Sequence, residues 1–125
     1  MKKTLEEIAQ EDSRYDVRGL KFVFEGLAAT IDKFGKEERE GVPRHITGQE
    51  LAWGLAEVAQ KRWGRLAAMV LEHWGIHTTR DFGEIVYLMI DYGWMTSQET
   101  DTIDDFNNVF DFSEFFEKQY VIEIR

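Results

Sequence analysis

The sequence predicts a mainly α domain with a small β element: four to five helices followed by a short C-terminal hairpin, in a winged-helix-like topology. Three observations lead there. Apolar residues recur at helical spacing, most regularly at Val17, Leu20, Phe24, Leu27, Ala28, Ile31 and Phe34. Two Thr-x-x-Glu boxes, Thr4 to Glu7 and Thr47 to Glu50, open helices, and two glycine-apolar pairs, Gly75-Ile76 and Gly93-Trp94, close them. Beyond Met95 the helical period gives way to an acidic stretch and then to FNNVFDF (106–112), whose aromatics suit a short strand or an irregular packed segment.

In chain order, Leu5, Ile8 and Ala9 give a short first helix one apolar side, and Asp12-Ser13 breaks it. A long helix follows from about Arg14 to Phe34. Gly19 and Gly26 lie seven apart on one side of it. Glycine inside a helix costs roughly 1 kcal/mol relative to alanine, so this pair predicts close approach of another backbone or of a ligand. GKEEREGVPRHI (35–46) reads as the main internal loop and holds the single proline. A third helix uses Leu51, Leu55, Val58 and Ala59, with Trp53 to one side, and breaks or kinks at Gly64. A fourth runs from Leu66 to Trp74. The fifth, TRDFGEIVYLMIDYGWM (79–95), is the stretch the others are built to cover. Thr79 is its candidate cap, Phe82, Ile85, Val86, Met89 and Ile90 its buried face, and Gly93 its left-handed stop. The hairpin would pair residues near Trp94–Thr96 with residues near Val109–Phe112, placing the acidic loop 96–105 at its tip. Ser113 can cap a last helical turn, and YVIEIR (120–125) reads as a terminal strand.

At 125 residues, 43% hydrophobic and 14% aromatic, the chain has material for one core and is expected to form a single domain, 1–125. It has no cysteine, which excludes disulfides, thiolate chemistry and Cys-based metal centres. The N-terminus lacks the apolar segment of a signal peptide, and no apolar run reaches membrane-spanning length, so a soluble, cytoplasmic protein is expected.

The net charge of −9 is unevenly placed. Residues 1–80 hold thirteen basic and thirteen acidic side chains, whereas residues 81–117 hold ten acidic and no Lys or Arg. The acidic third reads either as a solubilising face or as a docking surface for a basic protein partner, with Glu99, Asp101, Asp104 and Asp105 as the candidate residues. The fold expectation alone would suggest nucleic acid. A duplex reader must set cations against phosphate, yet the would-be recognition helix offers only Arg80 against Asp81, Glu84 and Asp91. The alternative nucleic-acid surface is therefore a basic and aromatic side made by Lys61, Arg62, Arg65 and Arg80 near Trp53, Trp63 and Trp74.

The sequence reads as non-enzymatic, with no cofactor and no metal. His73 and His77 are four apart, but Gly75 between them ends the helix that would align them. His45 reads as a packing or capping loop residue. The aspartates at 101, 104 and 105 lack the glycine and closing glutamate of a calcium loop. Glu25 and Glu84 are the carboxylates placed to do acid–base work if buried, and pairing to arginine is the competing reading. A pocket along Gly19 and Gly26 would mark a third possibility, a small-ligand binder or enzyme.

Taken together, RYDVRGLKFVFEGLAAT (14–30), HITGQELAWGL (45–55), WGIHTTRDFGEIVYLMIDYGWM (74–95) and DDFNNVFDF (104–112) resemble a family of small bacterial proteins of unknown function. The resemblance covers most of the chain, and DFGEIV is its most specific part. It implies a bacterial, cytoplasmic, single-domain protein and brings no activity, cofactor or site residue.

Overall fold

A computed structural model describes residues 2–37, 46–95 and 102–118. They form five α-helices: α1 (Leu5–Asp12), α2 (Val17–Glu37), α3 (Gly48–Trp63), α4 (Ala67–His73) and α5 (Thr79–Asp91). A 3₁₀ turn, Gly64–Leu66, links α3 to α4, another spans Ile103–Phe106, and a π-helical segment covers Ser113–Lys118. No helix among the described residues is long and apolar enough to cross a membrane.

Local chemistry fixes the helix ends. Thr4 and Thr47 close reciprocal capping boxes with Glu7 and Glu50 at the starts of α1 and α3. The stops of α4 and α5 are Schellman motifs. Ile76 N–H donates to the Leu71 carbonyl behind Gly75 at φ +91°, and Trp94 N–H donates to the Met89 carbonyl behind Gly93 at φ +85°. The cap of α5 lies one residue earlier than the sequence suggested. Asp81 Oδ2 accepts from the N–H groups of Thr78 and His77 at 3.1 and 2.8 Å. Thr79 is instead fully buried and faces the C-terminal segment.

The core joins all five helices. Phe22, Phe82 and Phe116, with Ile8, Leu20, Leu27, Leu55, Leu71, Ile76, Ile85 and Met89, are its largest fully buried side chains. Each contributes roughly 1.5–3 kcal/mol by leaving water. The predicted stripe of α2 is rotated in the structure. Leu20, Phe22, Val23, Leu27 and Thr30 are buried, whereas Ala28 is exposed and Ile31 is 50% exposed. Leu66, expected inside α4, is also exposed, because it belongs to the 3₁₀ turn before the helix.

Gly19 and Gly26 stand where other side chains arrive. A Cβ on Gly19 would lie 3.2 Å from Ile76 Cδ1 and 3.3 Å from Trp74 Cβ; one on Gly26 would lie 2.5 Å from Leu55 Cδ2. The space a ligand would occupy is filled by α3 and by the α4–α5 link. Close approach, and not a ligand cleft, accounts for both glycines.

The expected C-terminal hairpin does not form, and among the described residues there is no strand. One donor and one acceptor that a strand would use are taken by a single side chain. Thr79 Oγ1 accepts from Val109 N–H at 3.1 Å and donates to the Phe106 carbonyl at 2.7 Å, stitching the segment to α5. Phe106, 2% exposed, wedges between Gly48 at the start of α3 and Gly83 in α5. Beyond it Phe110, Phe112, Phe115 and Phe116 form a ring cluster with Phe82 and Trp53. Aromatic packing on α3 and α5 replaces strand pairing here, so the described residues supply no wing. The terminal strand expected at 120–125 lies outside the described residues.

Candidate functional site

Two features stand out beside α5: a polar cluster built on Glu84 and Arg80, which the sequence singled out, and a groove. The cluster centres on Glu84. Its carboxylate accepts from Arg14 Nη1 and Arg80 Nε, each at 3.0 Å. Arg80 reaches on to Asp104 Oδ1 at 2.8 Å and Asn107 Oδ1 at 3.0 Å, while Arg14 also holds Asp12 at 2.6 Å. Hydrogen bonds from Arg14, then Arg80, keep the Glu84 carboxyl below the usual range. Arg14 is raised, chiefly by its bond to Asp12. Next to it Tyr15 donates to Asp81 Oδ1 at 2.6 Å, and burial, followed by that bond, raises the phenol.

A carboxylate held ionised between two guanidiniums is a poor proton acceptor near neutral pH. Glu84 therefore acts as a strut that ties the α1–α2 turn to α5 and steadies Arg80, which holds the 103–106 turn through Asp104. Glu25, the other carboxylate singled out, is exposed and pairs with Arg62 at 3.5 Å.

The basic candidates are divided among carboxylates. Lys61 Nζ lies 3.3 Å from Glu57, which Lys33 also holds at 3.4 Å. Arg62 pairs with Glu25 and lies over the Phe22 ring at 5.7 Å. Arg65 is exposed and makes no ion pair among the described residues. Arg80 belongs to the Glu84 cluster. Trp63 and Trp74 are half-buried against each other and Phe22, which leaves Trp53, 45% exposed, as the accessible indole. His73 and His77 are exposed, and among the described residues no group of three His, Cys, Asp or Glu could hold a metal. His45 lies outside the described residues.

Of the acidic candidates, Glu99 and Asp101 lie outside the described residues. Asp104 is committed to Arg80. Asp105 is half-buried, accepts weakly from Thr102 N–H at 3.4 Å, and lines the groove. Asp91, Asp111 and Glu117 are exposed and, like Asp105, make no ion pair among the described residues. Asp111 does accept from Glu114 N–H at 3.0 Å.

The groove, of about 280 Å³, is the feature that sequence reasoning missed. Leu27 and Ile31 of α2 form one wall, and Val86, Tyr87 and Ile90 of α5 form the other. Leu51 and Phe106 close the bottom, and among the described residues Asp105 is its single charged lining residue. The available signal was the breadth of apolar surface on α2 and α5, more than one core face needs. The period alone does not say which part of a broad stripe stays uncovered.

No protein-family model, curated protein or solved structure matches the chain. Any functional reading rests on these residues.

Proposed function

We propose that this chain is a non-enzymatic protein-interaction domain that engages a basic partner through its acidic C-terminal third. One observation carries the reading. Asp91, Asp105, Asp111 and Glu117 make no ion pair among the described residues, in a stretch, 81–117, that contains no Lys or Arg. The other acidic side chains nearby have intramolecular work: Glu84 and Asp104 hold arginines, and Asp81 holds Tyr15 and two backbone N–H groups. The unpaired set leaves a negative field available to steer a cationic surface.

The nucleic-acid reading has less support, since Lys61, Arg62 and Arg80 are each spent on a carboxylate. The ligand or enzyme reading loses its proposed pocket to Leu55, Trp74 and Ile76.

The test is affinity capture from source-cell lysate, comparing wild type with a variant carrying Asp91→Asn, Asp105→Asn, Asp111→Asn and Glu117→Gln. Asn keeps an acceptor oxygen for the Glu114 and Thr102 N–H groups, so the fold is expected to survive. A basic protein retained by wild type, released by salt and lost by the variant is the expected result. Equal retention by both proteins, or none by either, refutes the reading.

A further inference from the structure

We infer that the groove between α2 and α5 seats the apolar face of an amphipathic helix belonging to that basic partner, with a partner Lys or Arg meeting Asp105. The inference rests on the interaction reading above and names the mode of binding. Three observations on the groove converge.

The first is shape. Leu27 and Ile31 are four residues apart on α2, and Val86 and Ile90 are four apart on α5. Each pair is a ridge of the kind that interdigitates with the ridges of another helix, and among the described residues no helix sits in the channel between them. Recognition of an amphipathic helix uses this arrangement, with bulky side chains at helical spacing dropped into an apolar trough.

The second is size and exposure. About 280 Å³ is just under the roughly 300–1,000 Å³ of small-molecule sites. It suits one or two bulky side chains. Ile31 is 50% exposed at the rim, an apolar cost that a partner would remove.

The third is charge. Among the described residues Asp105 lines the groove and no Lys or Arg does so. Asp91, exposed one turn beyond Tyr87 at the C-terminal end of α5, adds negative charge to that helix without lining the groove. An apolar trough whose charged lining, among the described residues, is the Asp105 carboxylate favours a helix whose anchor is flanked by Lys or Arg. It disfavours an acidic or neutral one, and it disfavours a fatty acid, whose carboxylate would be repelled.

A second copy of this chain is a poor occupant on the same grounds. Pairing through α5 would set the acidic excess of 81–117 against itself.

The experiment selects a phage-displayed library of amphipathic helical peptides on the wild-type protein and carries the best enriched peptide forward as the probe. Binding is read by fluorescence anisotropy, and the site by methyl NMR of wild-type protein, which needs no substitution. The expected probe carries a bulky apolar residue with Lys or Arg within one turn. The methyls of Leu27, Ile31, Leu51 and Ile90 should shift on titration. Replacing the probe's anchor with alanine, or introducing Ile31→Ser at the half-exposed rim, should weaken binding about thirtyfold. Asp105→Asn should weaken it several-fold, with a matching loss of salt dependence.

Each other result overturns the inference, and the pattern says what falls. Basic probes that shift no groove methyl, yet bind less to the charge variant of the preceding section, leave the acidic docking reading standing and remove the groove. Probes with apolar anchors but no cation, bound equally by the charge variant, show an open groove and refute a basic partner. Self-association abolished by Ile31→Ser assigns the groove to a second copy. Failure to enrich any helix refutes the groove inference and leaves the acidic docking reading to the lysate capture.

Discussion

Replacing Gly83 with alanine sets two effects of opposite sign against each other. Alanine is favoured over glycine by about 1 kcal/mol inside a helix, and α5 would gain that. The new Cβ, however, would sit 2.8 Å from Cβ, Cγ and Cδ2 of Phe106. The ring cannot swing clear, because Cβ is attached to a backbone whose carbonyl accepts from Thr79 Oγ1 at 2.7 Å. Overpacking of this kind costs about 1–3 kcal/mol, and the upper half of that range applies when backbone-anchored atoms collide. Gly83→Ala should therefore lower stability by a net of about 1–2 kcal/mol. Urea unfolding followed by tryptophan fluorescence and circular dichroism measures it, with an unchanged denaturant slope confirming that the folded state is the one affected. In a Phe106→Ala background two of the three colliding atoms are gone. The penalty should shrink there, giving a coupling of about 1 kcal/mol in the double-mutant cycle. If Gly83→Ala instead stabilises the protein by its helix-propensity value, or if the two substitutions add, the wedge is not what holds this segment in place.

Three further outcomes are expected. Glu84 has a folded-state pKa below its unfolded value of about 4.3, so its contribution is present above that pH and lost as pH falls through the depressed folded value. Chemical denaturation between neutral pH and about pH 3 should accordingly show a steeper loss of stability for wild type than for Glu84→Gln, and identical slopes would remove Glu84 from the acid transition. Thr79→Val keeps the shape but strands the Phe106 carbonyl and the Val109 N–H, at a cost of about 1–3 kcal/mol; Val109 should then exchange its amide hydrogen faster, and unchanged exchange would contradict the stitch. Gly75 and Gly93 share a positive φ, yet a Cβ on Gly75 would meet the Arg14 carbonyl oxygen at 2.5 Å while one on Gly93 meets nothing within 4 Å. Gly75→Ala should thus lower the melting temperature clearly more than Gly93→Ala, and equal shifts would show that strain in φ alone is at work.

The helices were legible because their determinants are local. The Thr4–Glu7 and Thr47–Glu50 boxes, the break at Gly64 and the glycine stops at 75 and 93 each act within one turn of chain, and the structure has all five. What the sequence hid was tertiary. Periodicity places Ile31 and Leu66 on apolar faces, but which face finds a neighbour depends on how helices pack, and both side chains are exposed. FNNVFDF alternates as a strand would, yet a strand needs a partner. Thr79 and the rings around Phe106 offer this segment better contacts than a hairpin does. The candidate site divided in the same way. Glu84 and Arg80 were visible as charged residues four apart on α5, but their further partners, Arg14 for Glu84 and Asp104 for Arg80, come from contacts 70 and 24 residues apart in sequence. The groove had no motif at all, since it is the space left when two broad apolar stripes meet incompletely.

The Phe106 wedge also bears on how the chain is made. Synthesis runs from the N-terminus, so α5 leaves the ribosome before the residues that cover its Phe82 and Gly83 side. Until Phe106 and the rings after it emerge, the nascent protein carries an apolar stripe with no lid of its own. Such a stage invites chaperones and misassembly. Premature release after α5 would give a helical, sticky fragment, because residues 106–116 are the last part of this core to be made.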